Sequence, residues 1–500
     1  MLSTNMPAAP RFDNSYAQLP KAFHDRVQPT PVAKPEPMMV NRELAQELGL
    51  DPHWLTEKPG LAMLSGNTLP AGADPIATGY AGHQFGQWVP RLGDGRAILV
   101  GEVLDRNGER RDIQLKGAGP TPYSRRGDGR SSIGPVVREY LGSEFMHALG
   151  IPTTRALAAI STGETVLRQK PEPGGILCRV ARSHVRVGTF EFFSRSGRLE
   201  HVKQLADYVM ARHYPECSGS EQPYGELLSA IVQRQARLVS DWLLVGFIHG
   251  VMNTDNCSII GETIDYGPFG FVDTFHPATV YSSIDRGGRY AYNQQPAIAH
   301  WNLARLAECL LSLLSENREQ AVEQANEILG EFPGHFEAHF HQGLAAKLGL
   351  SYTEEHAQLG LDLMDTMAAG EADMTLVFRG IAALPSATPE TSDTDEPVRG
   401  LFGDPAAFDA WAKPWRQRLQ AEGISDEDRK IAMLRVNPAF VLRNHLAQWA
   451  VDAAIDRLDF APMKTLHKVL SRPFDDQPEH AQLSQPPKPE ERVMTTFCGT

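Results

Sequence analysis

The clearest hydrophobic pattern in the chain begins just past residue 96. Residues 97–104 (AILVGEVL) form an apolar run that predicts a strand, 105–108 its turn, and 111–116 the return strand. Asn107-Gly108 is a dipeptide that tolerates positive φ, as a tight hairpin requires. In the return strand Ile113 and Leu115 share one face while Gln114 and Lys116 share the other, so Lys116 is expected to turn away from the apolar side, into a cleft. A helix is predicted from Pro135 to Leu149, with proline in its first turn and Gly150 and Pro152 beyond its end. Further β-like segments fall at 155–160, 164–168 and 175–182.

Beyond residue 190 the periodicity becomes helical. It is strongest over 224–247, where Leu227, Leu228, Ile231, Leu238, Trp242 and Leu243 recur on one face. Helices are also predicted at 302–314, 319–329, 335–348, 354–368, 405–422 and 439–458, the last beginning just after Pro438. The first 78 residues are Pro-rich and read as irregular apart from a short helix at 42–48 closed by Gly49. Residues 385–400 (PSATPETSDTDEPVRG) read as a linker or exposed loop. The 476–500 tail lacks apolar periodicity and is expected to be flexible. These boundaries divide the chain into a 1–78 extension, a β-rich 79–190 part, a helical 191–384 part, the linker, a helical 401–475 part and the tail. No internal repeat is visible.

Composition narrows the function. Among 500 residues, 42% are hydrophobic and 22% charged, the balance of a globular protein. No apolar run approaches the ~18 residues of a membrane span. The first residues lack the basic start and apolar stretch of a secretory signal. Five scattered cysteines (Cys178, Cys217, Cys257, Cys309 and Cys498) match neither a disulfide framework nor zinc-ligand spacing, so a cytoplasmic setting is expected. The net charge of −13 argues against nucleic acid as a partner. Positive charge is nevertheless concentrated at Arg110, Arg111, Lys116, Arg125, Arg126, Arg130 and Arg138, then at Arg168, Lys170, Arg179, Arg182 and Arg186. An acidic protein with such a stretch is suited to a small anion, although a solvated basic face has the same composition.

Nucleotide chemistry needs a glycine-rich turn, a lysine for the phosphates, a carboxylate to orient that lysine, and metal ligands. Gly93-Asp-Gly95-Arg96 precedes the first strand of the hairpin, Lys116 ends the return strand, and Glu139 lies in the next helix, where it can pair with Lys116. The bland alternatives are a hairpin turn, a surface lysine and a solvated helix carboxylate such as Glu144. His249-Gly-Val-Met-Asn-Thr-Asp-Asn256 and Asp265-Tyr-Gly267 complete the set. Protein kinases carry His-Arg-Asp, a metal-binding Asn five residues after that Asp, and then Asp-Phe-Gly. In that register Val251 stands at the base position, where it cannot accept a proton, and Asp255 beside Asn256 is the candidate replacement. The order of motifs and the β-then-helical outline predict an α+β, two-lobed protein-kinase-like fold with a β-rich N-terminal lobe and a large helical C-terminal lobe.

The stretches GYAGHQFGQWVPRLGDGR (79–96), QLKGAGPTPYSRRGDGR (114–130), HGVMNTDNCSI (249–259), DYGPFGFVD (265–273) and NPAFVLRNHLAQWA (437–450) resemble the selenoprotein O family, and the resemblance runs from about residue 10 to 475. It implies a kinase-like fold that binds ATP inverted and transfers AMP to Ser, Thr or Tyr hydroxyls of proteins. By that resemblance Gly93, Gly95, Arg96, Asp128 and Gly129 lie at the nucleotide, and Lys116, Arg179 and Arg186 hold the outer phosphates. Asn256 and Asp265 bind Mg²⁺ or Mn²⁺, Asp265 also serves the nucleotide, and Asp255 is the base. Many relatives end in Cys or selenocysteine followed by two serines, whereas this chain ends Cys498-Gly-Thr500, and Cys257 is the nearest thiol to the catalytic loop in sequence. Three other readings stay open: a phosphotransferase, a nonenzymatic nucleotide-binding scaffold, and transfer of UMP from UTP.

Overall fold

The computed structural model describes residues 9–387 and 392–497. Its strands are β1 (His24–Arg26), β2 (Glu36–Val40), β3 (Ile76–Thr78), β4 (Gly82–Gln84), β5 (Gln87–Val89), β6 (Ala97–Leu104), β7 (Arg110–Lys116), β8 (Ser131–Ser132), β9 (Arg155–Leu167), β10 (Pro171–Ala181), β11 (Phe247–Ile248) and β12 (Gly270–Phe271). The main sheet runs β1-β3-β6-β7-β10-β9-β2, with β8 paired to β10; β4–β5 and β11–β12 are separate two-stranded ribbons.

The β6–β7 hairpin forms where the pattern predicts it. Asp105 ties its turn by accepting from the backbone N–H groups of Asn107 and Glu109 at 2.8 and 2.9 Å. Ile113 and Leu115 enter a buried core with Leu44, Trp54 and Leu64, leaving Gln114 and Lys116 on the opposite face. The stretch before residue 79 differs from expectation, because β1, β2 and β3 join the sheet. Its prolines are compatible with this: β2 is an edge strand, where Pro37 need not donate to a second neighbour. The expected break near residue 162 is a register shift between β9 and β10 within one continuous strand.

The helices are α1 (Arg42–Glu47), α2 (Lys58–Ser65), α3 (Ile133–Ala148), α4 (Val187–Ser194), α5 (Leu199–His213), α6 (Pro223–Leu244), α7 (Gln295–Leu314), α8 (Arg318–Gly330), α9 (Phe332–Lys347), α10 (Glu354–Ala369), α11 (Met374–Ile381), α12 (Glu396–Arg399), α13 (Pro405–Glu422), α14 (Asp426–Leu434), α15 (Asn444–Arg457) and α16 (Ala461–Leu470). Helices α6 to α9 pack on one another, while α15 and α16 return to pack against α3 beside the sheet. The molecule is therefore mixed α/β, with a sheet-bearing part and a helical part. Helix α15 starts later than Pro438 predicts. Ala439 and Phe440 donate backbone N–H groups to the Pro473 carbonyl at 2.8 and 3.1 Å, keeping 439–443 out of the helix. Arg443 is fully buried there, paired with Asp273 and, at 2.8 Å, with Asp373.

Part of the expected linker carries α12, and its buried Asp395 pairs with Arg416 at 2.7 Å; residues 388–391 lie outside the described residues. The described part of the tail lies along the fold. Thr496 donates its N–H to the Tyr281 carbonyl at 2.7 Å and its hydroxyl to the Pro268 carbonyl at 2.6 Å. Cys498 lies outside the described residues, and Cys178, Cys217, Cys257 and Cys309 are buried free thiols. No helix of the described residues is long and apolar enough to cross a membrane.

Removing one partner of a buried ion pair leaves an uncompensated charge. Arg443→Met should therefore lower stability to urea unfolding by about 3–5 kcal/mol; a loss within experimental error would mean that Asp273 and Asp373 do not depend on Arg443.

Candidate active site

A cleft of about 700 Å³ opens between the β6–β7 hairpin, α3 and the loop segments around 251–256 and 265–267, and every site residue named from the sequence lines it. Register explains how the sheet supplies two of its cations. Lys116 lies opposite Leu177, and Arg179 opposite Gln114, across the β7–β10 pair. Residues opposite each other share a face. Gln114 accordingly accepts from Arg179 Nε and Nη2 at 3.1 and 2.6 Å.

Asp265 is the hub. Its Oδ1 accepts from Lys116 Nζ at 2.9 Å and Arg179 Nη1 at 2.7 Å, and its Oδ2 from Arg186 Nη1 at 3.1 Å. Glu139 on α3 holds the same lysine at 2.6 Å and the same arginine at 3.1 Å. Burial alone pushes the Asp265 carboxyl up, but the charges of Lys116, Arg179 and Arg186 outweigh it and hold it well below the ordinary range. Asp265 also sits at φ +63°, a left-handed backbone costing of order 1–3 kcal/mol for a non-glycine residue. Its three cationic partners hold it there. Glu144, by contrast, is not the solvated carboxylate expected from its place on the helix: it is buried, paired with Arg155 at 2.9 Å, and accepts from Asn41 Nδ2 at 2.7 Å.

Arg186 precedes α4 and reaches the cleft because the backbone on either side pairs with residues 257–259, just past the 249–256 loop. Val187 N–H donates to the Cys257 carbonyl at 2.9 Å, and Ile259 N–H to the Val185 carbonyl at 3.3 Å. The guanidinium also donates to the Asp255 carbonyl at 3.0 Å and lies 4.4 Å over the Tyr80 ring. His249 braces the loop from below. Its Nδ1 accepts from Val251 N–H at 3.4 Å, which leaves Nε2 to donate to the Ile264 carbonyl at 2.9 Å, beside Asp265.

Asp255 has a different environment. It is buried; among the described residues its Oδ1 has no hydrogen-bond partner, and Oδ2 accepts a long 3.3 Å bond from Gln84 Nε2. Burial pushes its carboxyl up to about 7, with Arg186 offsetting part of the rise. Two carboxylates of one cleft are thus driven apart, Asp265 held down by its cationic partners and Asp255 pushed up by burial. Val251 lines the cleft but offers only an alkyl side chain.

Asn256 donates Nδ2 to the Val251 carbonyl at 2.9 Å, leaving its Oδ1 as an acceptor in a cleft shared with Asp265. One amide oxygen and one carboxylate suit Mg²⁺ or Mn²⁺ that completes its shell with phosphate and water. No group of three or more His, Cys, Asp or Glu side chains suited to a self-sufficient metal cage occurs among the described residues. On the sheet side, Gly117 N–H donates to the Arg96 carbonyl at 2.7 Å, setting the Gly93–Arg96 turn beside Lys116. Asp128 pairs with Arg168 at 2.9 Å on the rim. Next to it, Gly129 packs so closely on Gly119 that a Cβ would lie 2.1 Å from its carbonyl carbon.

Residues 8–471 match the family model described as Protein adenylyltransferase SelO. The chain belongs to the SelO family. Proteins named Protein nucleotidyltransferase YdiU are similar to it along their whole length. The one from Alkalilimnicola ehrlichii is 58% identical over 99% of this chain and 100% of its own. That from Bradyrhizobium diazoefficiens is 57% identical over 98% and 99%, and that from Rhodopseudomonas palustris strain BisB18 is 56% identical over the same shares. In this SelO-family chain the sequence reasoning misses Gln114 as the anchor of Arg179, Tyr80 beneath Arg186, and Gln84 on Asp255. Gln114 carried a usable signal, since it shares the Lys116 face of β7; the other two depend on pairings distant in sequence.

Arg179→Met keeps the volume but strips Gln114, Glu139 and Asp265 of a shared donor. Nucleotide-free unfolding should show a loss of about 3 kcal/mol or more; wild-type stability would mean that the cluster is not held together by this arginine.

Proposed function

We propose that the chain is a metal-dependent protein adenylyltransferase that moves AMP from ATP to Ser, Thr or Tyr hydroxyls of other proteins. The observation that carries this reading is the convergence of Lys116, Arg179 and Arg186 on one carboxylate deep in the cleft. A pyrophosphate leaving group takes away more charge than a single transferred phosphoryl group develops, and fixed cations in a dry site stabilise that charge best. Family membership and the names of the relatives support the same reaction.

In this reading Lys116, Arg179 and Arg186 bind the β- and γ-phosphates. Gly93, Gly95 and Arg96, together with Asp128 and Gly129, lie against the rest of the nucleotide. Asn256 and Asp265 hold the divalent ion, which when bound neutralises phosphate charge. Asp255 takes the proton of the acceptor hydroxyl as its oxygen bonds to the α-phosphorus, and the bond to the β-phosphate oxygen breaks to release pyrophosphate. A buried carboxyl starved of donors is suited to that proton transfer. The sheet-bearing part with Lys116 and Glu139, and the helical part with the 249–256 loop and the 265–267 tripeptide, are read as the two lobes of a kinase-like fold.

With ATP labelled at the α-phosphate, the protein should label itself and added proteins; with γ-labelled ATP it should not. Label arriving only from the γ-position would make the enzyme a kinase. Asp255→Ala should lower transfer by about 10²-fold or more while ATP binding persists. Asp265→Ala should abolish transfer, because it removes both a metal ligand and the partner of three cations. Near-normal turnover in either variant would refute its assigned role.

A further inference from the structure

The β4–β5 hairpin (residues 82–89) lies over the catalytic loop without entering the chemistry above. It is stitched to three consecutive loop residues. His83 N–H donates to Thr254 Oγ1 at 2.7 Å, Gln84 Nε2 to Asp255 Oδ2 at 3.3 Å, and Phe85 N–H to Asn253 Oδ1 at 3.0 Å. Beneath these contacts Thr254 donates its hydroxyl to Glu191 of α4 at 2.5 Å, and Glu191 accepts from His83 Nδ1 at 2.5 Å. Glu191, His83 and Thr254 are all buried, so the ring they form is a fixed support, sheltered from water.

The approach of the two backbones depends on two glycines. A Cβ on Gly82 would lie 2.5 Å from Asp255 Oδ1, and one on Gly188 would lie 2.1 Å from the Ala81 carbonyl oxygen. The segment leading into β4 also bonds directly to the first turn of α4, Ala81 N–H to the Gly188 carbonyl at 3.0 Å. This packing divides the Asp255 carboxylate into two unlike oxygens. Oδ1 is closed in under Gly82 with no polar partner among the described residues. Oδ2 meets the Gln84 amide, and both residues line the cleft. A hydroxyl arriving from the cleft therefore meets the carboxylate on its Gln84 side.

We propose that Gln84 is a positioning residue for the transfer: its amide fixes the plane of the Asp255 carboxylate so that Oδ2 faces the acceptor hydroxyl, with the β4–β5 hairpin as its mount. The proposal rests on the reading of Asp255 as the base, and it adds a specific claim about what orients that base. Gln84 acts through Asp255 and leaves the phosphates to the cation cluster, so its loss should register in the rate of transfer and not in nucleotide binding. Misplacing a reacting group by about 1 Å costs on the order of 100-fold in rate.

The test compares Gln84→Met, Gly82→Ala, Asp255→Ala and the Asp255→Ala/Gln84→Met double variant, using α-labelled ATP with casein as the acceptor probe. Methionine fills the space of glutamine but cannot donate. Gln84→Met should lower kcat about 10- to 100-fold while KM for ATP, calorimetric ATP affinity and Tm stay at wild-type values. Gly82→Ala, which presses on the other carboxylate oxygen, should also lower kcat while ATP affinity stays at the wild-type value, with some loss of Tm from the crowding. The double variant should be no slower than Asp255→Ala alone, since a residue that acts through the base has nothing left to orient. Wild-type kcat in Gln84→Met overturns the proposal, and so does a parallel loss of ATP affinity and Tm, which would make Gln84 a packing residue. Full activity in Asp255→Ala would instead remove the base assignment itself, and the role of Gln84 with it.

Discussion

An ammonium or guanidinium group taken out of water must be paired, and Lys116, Arg179 and Arg186 are all paired with Asp265 in the interior of the cleft. Glu139 shares two of them, yet the cations still outnumber the carboxylates they touch. A buried cluster with surplus positive charge is stable only where the surrounding structure leaves its members nowhere else to go, and it keeps an unmet attraction for an anion. A polyphosphate has the charge and the number of oxygens to satisfy it. The same cluster holds Asp265 ionised in a left-handed backbone conformation, so the position of this carboxylate and the readiness of the cations share one cause.

Keeping the cluster in place requires elements from the whole chain. Antiparallel pairing of β7 with β10 sets Arg179 across from Gln114 and two residues from Lys116. Helix α3 must then lie close enough for Glu139 to reach both cations, and its position is fixed from two sides. Gly142 sits where any Cβ would strike Phe269 and Tyr266, and Gly134 packs against Val451 and Ile455 of α15. The helices at the far end of the sequence thus support a carboxylate near its beginning. Arg443 ties that distant end to Asp273, eight residues past Asp265.

The features legible in the sequence are those encoded locally. The β6–β7 hairpin follows from an apolar run and an Asn-Gly turn, and the faces of β7 follow from alternation, which turns Lys116 to its cleft side. Proline and glycine mark helix ends to within a few residues. Elements that depend on distant partners carry no such local signal. The start of α15 is set by the Pro473 carbonyl and by Asp273 and Asp373, which override Pro438 as a helix-start signal. Glu144 looks like any solvent-facing helix carboxylate until Arg155 and Asn41 close over it. Strands β1 and β2 have little periodicity of their own and are strands because the sheet offers them an edge. In the site, the residue types of the cation cluster were readable from spacing and resemblance, whereas its wiring through Gln114 and the support of Asp255 by the β4–β5 hairpin exist only in three dimensions.

Helix α4 ties the two halves of the proposed chemistry together. Arg186 stands at its start and Glu191 in its second turn; the first reaches Asp265, and the second anchors Thr254 beside Asp255. Arg186 and the 253–255 loop are therefore held as one body by α4, which packs on α5 and α7. Lys116 and Arg179 belong to a second body, the sheet. Asp265 is the point where both bodies meet, since it accepts from cations of each. Any opening of the cleft that separates sheet from helices must break the Asp265 contacts on one side, at a large cost for charges in a water-poor site. In the proposed reaction a bound triphosphate would give the same cations additional oxygens while Asp255 keeps its place. The electrostatics that hold the cleft together would thus also favour the geometry proposed for transfer, and one short helix would hold Arg186 and Asp255 in register.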